Sequence, residues 1–212
     1  LTEVPKLPRL GVEDLKKALK KGTKVIDTRA KTEFAKGFIP GTINIQGNNA
    51  FATWMGWFVS YDEPFVLIAE ESTIDDLTRK LMRIGLDNIQ GFVDNINDWE
   101  KAGGVVSTSE VVTADQFEQI LRTNHTQVVD LRGASEYKTG HIKGTENIFI
   151  GTLEKDLAKI RKDRQVILHC QAGDRSSIGY SLLCKHGFKN VKNYSGGITE
   201  WVNRGNPVVT EN

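Results

Sequence analysis

The residues best suited to chemistry lie in Val166–Ser177, "VILHCQAGDRSS". Val166 to Leu168 read as a short buried strand. His169 and Cys170 follow, then a polar turn with Gly173, then Arg175 and two serines that open a helical pattern. A strand that ends in cysteine and turns at once into a helix is expected to aim several backbone N–H groups at the thiol sulfur. The helix N-terminus adds partial positive charge there. Both effects favour the thiolate, the nucleophilic form, and Arg175 offers a permanent cation to an anionic substrate. Gln171, Ala172, Gly173 and Asp174 are expected to contribute backbone amides, with their side chains shaping access. Ser176 either hydrogen-bonds the sulfur or caps the helix. The bland alternatives make Cys170 a small buried hydrophobe and pair Arg175 with Asp174 or with a carboxylate at the sheet edge.

The elements that must position this loop occur twice. "VIDTRAKTEFAKGFIPGTINI" from Val25 is echoed by "VVDLRGASEYKTGHIKGTENI" from Val128. Asp27 matches Asp130, Arg29 matches Arg132, Glu33 matches Glu136 and Asn44 matches Asn147, each pair 103 residues apart. Gly85 and Trp99 match Gly187 and Trp201. Tandem modules of domain size follow, 1–104 and 105–212, with the turn-rich "KAGGVVSTS" as the seam. In the second module, Thr113 to Gln116 has capping-box spacing before a helix with Phe117, Ile120 and Leu121 on its apolar face. A strand ends at Asp130, a charged helical stretch runs from Leu153 to Ile160, and a helix over 176–186 closes at Gly187. A strand at Val191 to Tyr194 and a helix holding Trp201 complete the unit. Short apolar strands alternating with helices imply an α/β fold with a parallel sheet covered on both faces. Its ligand crevice lies beyond the carboxyl ends of the strands, where Cys170 and Asp130 both fall.

Composition excludes several classes. Lysine plus arginine number 28 against 27 acidic residues, a net charge of +1, so nothing calls for nucleic acid or an anionic membrane. No apolar run reaches membrane-spanning length. Two cysteines in 212 residues make no disulfide framework, which fits a reducing, cytoplasmic setting. The chain begins at Leu1 rather than methionine, which leads to the expectation of an upstream segment.

Three stretches, Asp130–Ile148, His169–Ser177 ("HCQAGDRSS") and Tyr194–Trp201 ("YSGGITEW"), stand in an order that resembles the rhodanese-homology family. The whole chain resembles a tandem rhodanese. That resemblance implies two rhodanese-like domains, each a five-stranded parallel sheet with helices on both faces. It implies a sulfurtransferase with Cys170 as nucleophile and Arg175 as substrate-binding residue, moving sulfur from thiosulfate or a low-molecular-weight persulfide to sulfite, a thiol or cyanide. The wording "HCQAGDRSS" after a cysteine-free module further resembles bacterial fusions of a metallo-β-lactamase-fold persulfide dioxygenase with tandem rhodaneses, proteins of sulfide detoxification. Iron is then expected only in that upstream partner domain. This chain needs no cofactor beyond its own cysteine persulfide. Homo-oligomerisation stays open.

The first module departs at the decisive place. Its strand Phe65 to Ile68 runs into "AEESTIDD", and alignment from the strand puts Glu70 at the position of Cys170. No thiol is present, Glu70, Glu71, Asp75 and Asp76 would repel an anionic donor, and Phe38 stands where His141 does. This half is expected to be a catalytically silent scaffold.

Loop length separates sulfur from phosphate chemistry. Cysteine-dependent phosphatases resemble this stretch but place five residues between cysteine and arginine, whereas four stand between Cys170 and Arg175. The smaller loop should fit a phosphate ester poorly. Phosphatase activity and a non-catalytic interaction module remain the alternatives. Asp130, Arg132 and Glu136 are expected to form a supporting polar network, and His169 to orient the loop rather than act as a base. Cys184 sits too far along its helix to bridge Cys170 and is assigned to the core. His125, His141, His169 and His186 lack metal-ligand spacing. "FATWMGWFV", Phe51–Val59, reads as core or as a docking face.

Overall fold

The computed structural model describes residues 4–123 and 125–211. It resolves into two compact units, Leu1–Thr108 and Ser109–Asn212. The first carries α1 (Val12–Lys20), β1 (Lys24–Asp27), α2 (Lys31–Lys36), β2 (Ile43–Asn44), α3 (Phe51–Phe58), β3 (Phe65–Ile68), α4 (Ile74–Met82), β4 (Ile89–Val93) and α5 (Asn97–Lys101). The second carries α6 (Ala114–Leu121), β5 (Thr126–Asp130), α7 (Ala134–Thr139), β6 (Glu146–Asn147), β7 (Gln165–His169), α8 (Asp174–Lys185), β8 (Val191–Tyr194) and α9 (Gly197–Asn203). The first unit runs on through Thr108 because Phe38 and Ser107 exchange backbone hydrogen bonds of 2.8 and 2.9 Å. His141 and Val209 make the corresponding exchange in the second unit, both at 2.9 Å.

Each sheet is parallel and four-stranded, in the orders β2-β1-β3-β4 and β6-β5-β7-β8. The expected α/β fold stands, with four strands in place of five. What could have been a fifth strand is a single parallel bridge at the β4 and β8 edges, Arg9 with Phe92 and Val111 with Asn193. In the first unit Pro8 contributes a carbonyl to Phe92 N–H at 3.0 Å but has no N–H of its own to extend the ladder.

Alternation along the strands assigns the two faces. Val128 and Ile167 join Phe117 of α6 and Ile198 and Trp201 of α9 in one apolar cluster. Leu168 faces the other way, toward Gly179 of α8, where an added Cβ would also meet Leu131 and Ile150. The first unit repeats this arrangement: Val25, Val66 and Ile68 pack with Leu15 of α1. Stretch 51–59 resolves as core, since Phe51 and Met55 are fully buried and Trp54 and Phe58 nearly so. The stretch from Leu153 to Ile160 forms no α-helix; a 3-10 turn at Ile150–Thr152 precedes it and another at Leu157–Lys159 lies within it. Thr152 Oγ1 donates to the Asp156 carboxylate at 2.7 Å, a local side-chain bond of the kind that competes with helical pairing. Among the described residues no helix is long and apolar enough to cross a membrane.

Candidate active site

The frame beneath the loop is a buried ion pair. Asp130 closes β5 fully buried, and Arg132, 4 % exposed, returns its guanidinium to both carboxylate oxygens at 2.8 to 3.1 Å. Arg132 also donates to Gly140 O at 2.8 Å, and the Asn147 amide ties the Asp130 and Arg132 carbonyls together. A charge pair so deeply buried requires saturated hydrogen bonding, because removing one partner leaves the other uncompensated. The first unit repeats the arrangement with Asp27, Arg29, Gly37 and Asn44. Its presence there, without any thiol, makes it scaffolding, as the repeat implied. His169 ends β7 fully buried, its Nε2 without a hydrogen bond and 3.8 Å from Asp130 Oδ2. Burial lowers its pKa, although the nearby Asp130 charge pulls the other way. A neutral, enclosed imidazole suits a positioning role and not that of a base in contact with substrate.

Cys170 follows at the carboxyl end of β7. Its carbonyl and that of Gln171 point outward, accepting N–H bonds of 2.9 and 3.0 Å from Ile198 and Thr199 at the start of α9. With those carbonyls drawn out, the turn brings the Gly173 N–H to within 3.1 Å of Cys170 Sγ, to which it donates. Gly173 has φ of +96°, the left-handed region that glycine adopts without strain. From it α8 starts at Asp174, two residues earlier than the sequence pattern places it, so the helix N-terminus abuts the sulfur.

Ser176 is therefore the third helical residue and not the cap; Gly173 is the cap. Its hydroxyl donates to Gly173 O at 3.2 Å and accepts from the Cys170 thiol at 3.8 Å. Gln171 turns its side chain away from the sulfur, to Thr199 Oγ1 at 2.9 Å. Gln171 and Ala172 form the exposed rim, and Asp174 is half-buried. Cys170 itself is 1 % exposed, so the loop admits a protruding single atom far more readily than a tetrahedral ester group.

Arg175 is held by a carboxylate, though not by Asp174. Its Nη1 and Nη2 reach the two oxygens of Glu136 on α7 at 2.6 and 2.8 Å. Glu136 also accepts from the Gly133 N–H at 2.9 Å. The arginine hydrogen bond is the main cause that holds the Glu136 carboxyl down at about 2. Arg175 is raised in turn, by that bond first and, further down, by the Cys170 charge, which puts guanidinium and sulfur within electrostatic reach. The expected grouping of Glu136 with Asp130 and Arg132 is thus corrected: it belongs to the loop. In the first unit Glu33, with no such arginine, pairs with Lys36 of its own helix.

Strand register also corrects the first unit. Asp27 pairs with Ile68 as Asp130 pairs with His169, so Ala69, and not Glu70, occupies the position of Cys170. Cys184 lies on α8, partly exposed, with burial raising its thiol pKa. Among the described residues no three His, Cys, Asp or Glu side chains gather as a metal site. The anchoring role of Gly197 and Thr199 was missed from sequence, although the "GG" in "YSGGITEW" was its signal.

Parallel four-stranded modules in tandem, one with a cysteine loop at the crevice and one without, match a known class. The rhodanese-like domain family matches residues 11–102 and again 113–204, and the chain belongs to that family. Among its relatives, a thiosulfate sulfurtransferase of Shewanella oneidensis, GlpE, is 27 % identical over 96 residues, covering 45 % of this chain and 95 % of that protein. The uncharacterized protein YqhL of Bacillus subtilis is 33 % identical over 92 residues, 43 % of this chain and 71 % of its own length. A tRNA uridine(34) hydroxylase of Wigglesworthia glossinidia brevipalpis is 31 % identical over 105 residues, 47 % of this chain. The match spans about a third of that hydroxylase's length, 33 %.

Proposed function

We propose that the second unit is a sulfurtransferase working through a Cys170 persulfide. The observation that carries the reading is the Gly173 N–H on Sγ at the N-terminus of α8, which stabilises negative charge on sulfur in the thiolate and the persulfide alike. Cys170 Sγ attacks the outer sulfur of thiosulfate or of a low-molecular-weight persulfide. The donor's S–S bond breaks, and its electron pair leaves with sulfite or with a thiolate. Sulfite, a thiol or cyanide then attacks the outer sulfur of the Cys170 persulfide, and the cysteine thiolate departs. Dividing one transfer into two displacements is the advantage of covalent catalysis.

The first unit serves as scaffold, since Ala69 offers no nucleophile. The same reading sets the chain in the cytoplasm, downstream of an iron-bearing metallo-β-lactamase-fold domain, on the strength of "HCQAGDRSS" behind a cysteine-free module; no iron is assigned to residues of this chain. The four-residue interval from Cys170 to Arg175 and the near-complete burial of the sulfur argue against phosphate esters.

Intact mass after incubation with thiosulfate or glutathione persulfide tests the reading. One added sulfur atom on Cys170, absent in Cys170→Ser and removed by cyanide, is expected. No adduct with either donor would leave a binding module instead.

A further inference from the structure

The loop carries one cation, Arg175, and the structure spends it on a carboxylate. Glu136 grips both terminal nitrogens while the Gly133 N–H holds the same carboxylate from the other side. Freeing the guanidinium would cost two charge-assisted hydrogen bonds. With its carboxyl held at about 2, Glu136 is fully charged at neutral pH. The positive charge of Arg175 beside the sulfur is therefore matched by an equal negative one before the thiolate is counted.

We infer, resting on the sulfurtransferase reading, that Glu136 is a specificity-determining residue that neutralises Arg175 and weights the site against doubly charged sulfur donors. A dianion such as thiosulfate feels twice the penalty that a singly charged persulfide feels at the same distance. Glu136 acts through Arg175 and not on the reacting atoms, so it is a positioning residue whose signature is charge discrimination. The pairing is particular to this unit, because Glu33 at the matching position bonds within its own helix. The role was not legible in the sequence: Glu136 and Arg175 stand 39 residues apart.

The test compares the full chain with Glu136→Gln and Glu136→Ala. The donors are thiosulfate and the persulfide of an uncharged thiol, 2-hydroxyethyl persulfide, with cyanide as common acceptor. Glutamine keeps an acceptor for Gly133 and removes the charge; alanine removes both, so a shift shared by the two reports charge and not the cap. The donor kcat/KM should rise roughly tenfold for thiosulfate and only about threefold for the persulfide, because the electrostatic energy scales with donor charge. Equal changes for both donors, no change, or a fall for both (Glu136 merely holding Arg175 in place) would overturn the inference. Failure of the underlying reading looks different: wild-type protein would take up no sulfur from any donor.

Discussion

Gly197→Ala should disable sulfur transfer without touching the cysteine. Gly197 opens α9 with φ of +60°, and a Cβ there would lie 2.4 Å from Cys170 O and 2.6 Å from Gln171 O. Both neighbours are backbone and cannot swing aside. A left-handed non-glycine residue costs roughly 1–2 kcal/mol. Relieving the collision separates α9 from the loop and breaks the Ile198 and Thr199 bonds to those carbonyls, worth about 1 kcal/mol each. The total is roughly 3–4 kcal/mol, which lowers Tm of a domain this size by on the order of 10 °C or more. Activity should suffer even where the variant stays folded, because the same carbonyls orient the turn that presents Gly173 N–H to the sulfur. Gly187→Ala is the control. Gly187 has φ of +80°, and a Cβ added there would meet nothing within 4 Å, so it bears only the backbone penalty, about 1 kcal/mol. Thermal melts and single-turnover sulfur loading of both variants check this. A Gly197→Ala protein that loads sulfur at the wild-type rate, with a Tm loss no larger than that of Gly187→Ala, would refute the anchoring role of α9.

Ala69→Cys in the first unit places a thiol at the register position of Cys170. It should acquire no sulfur when assayed by mass in a Cys170→Ser background, because Glu70 and Glu71 follow it instead of an amide turn and an arginine. Acid stability should report the Glu136 clamp. Its folded carboxyl sits at about 2 against an ordinary 4.5, so its contribution is complete above pH 4.5 and is lost as pH falls toward 2. Denaturant titrations of Glu136→Gln should therefore show a shallower loss of stability across that window, and an unchanged slope would contradict the pairing.

Much of the site was legible because it is written twice. Asp130 and Arg132 recur as Asp27 and Arg29 in a unit without chemistry, and the repeat alone marked them as framework; by the same reasoning it drew in Glu136, the match of Glu33, which the structure assigns to the loop. The cysteine, its glycine turn and the helix beyond it are local in sequence, so their geometry follows from short-range rules. The Glu136–Arg175 pair joins α7 to α8 across the crevice, and no periodicity announces such a contact. The silent position was misaligned for a simple reason: Ala69 is apolar and 1 % exposed, so it reads as more strand and hands the next place to Glu70. The fifth strand was overcounted because Arg9 and Val111 contribute one bridge each rather than a ladder.

The two units show how little of the fold depends on the chemistry. Where the second unit sets Ile150 against Gly179, the first sets Gly47 against Leu77, whose Cδ2 lies 3.0 Å from where a Gly47 Cβ would stand. The volume has changed sides, and the close packing that interiors require is kept. The decisive difference is the direction of a few peptide groups. After β7 the carbonyls of Cys170 and Gln171 turn outward to α9, and the turn beyond them gives the sulfur the Gly173 amide. After β3 it is an amide that is drawn off, Glu71 N–H donating to Asp94 Oδ1 at 2.8 Å, and the chain enters a 3-10 turn at Glu71–Thr73 with no glycine among Glu70 to Asp76. A thiol alone therefore cannot restore the first site; the outward-facing carbonyls that orient the anion-binding turn would have to be restored with it.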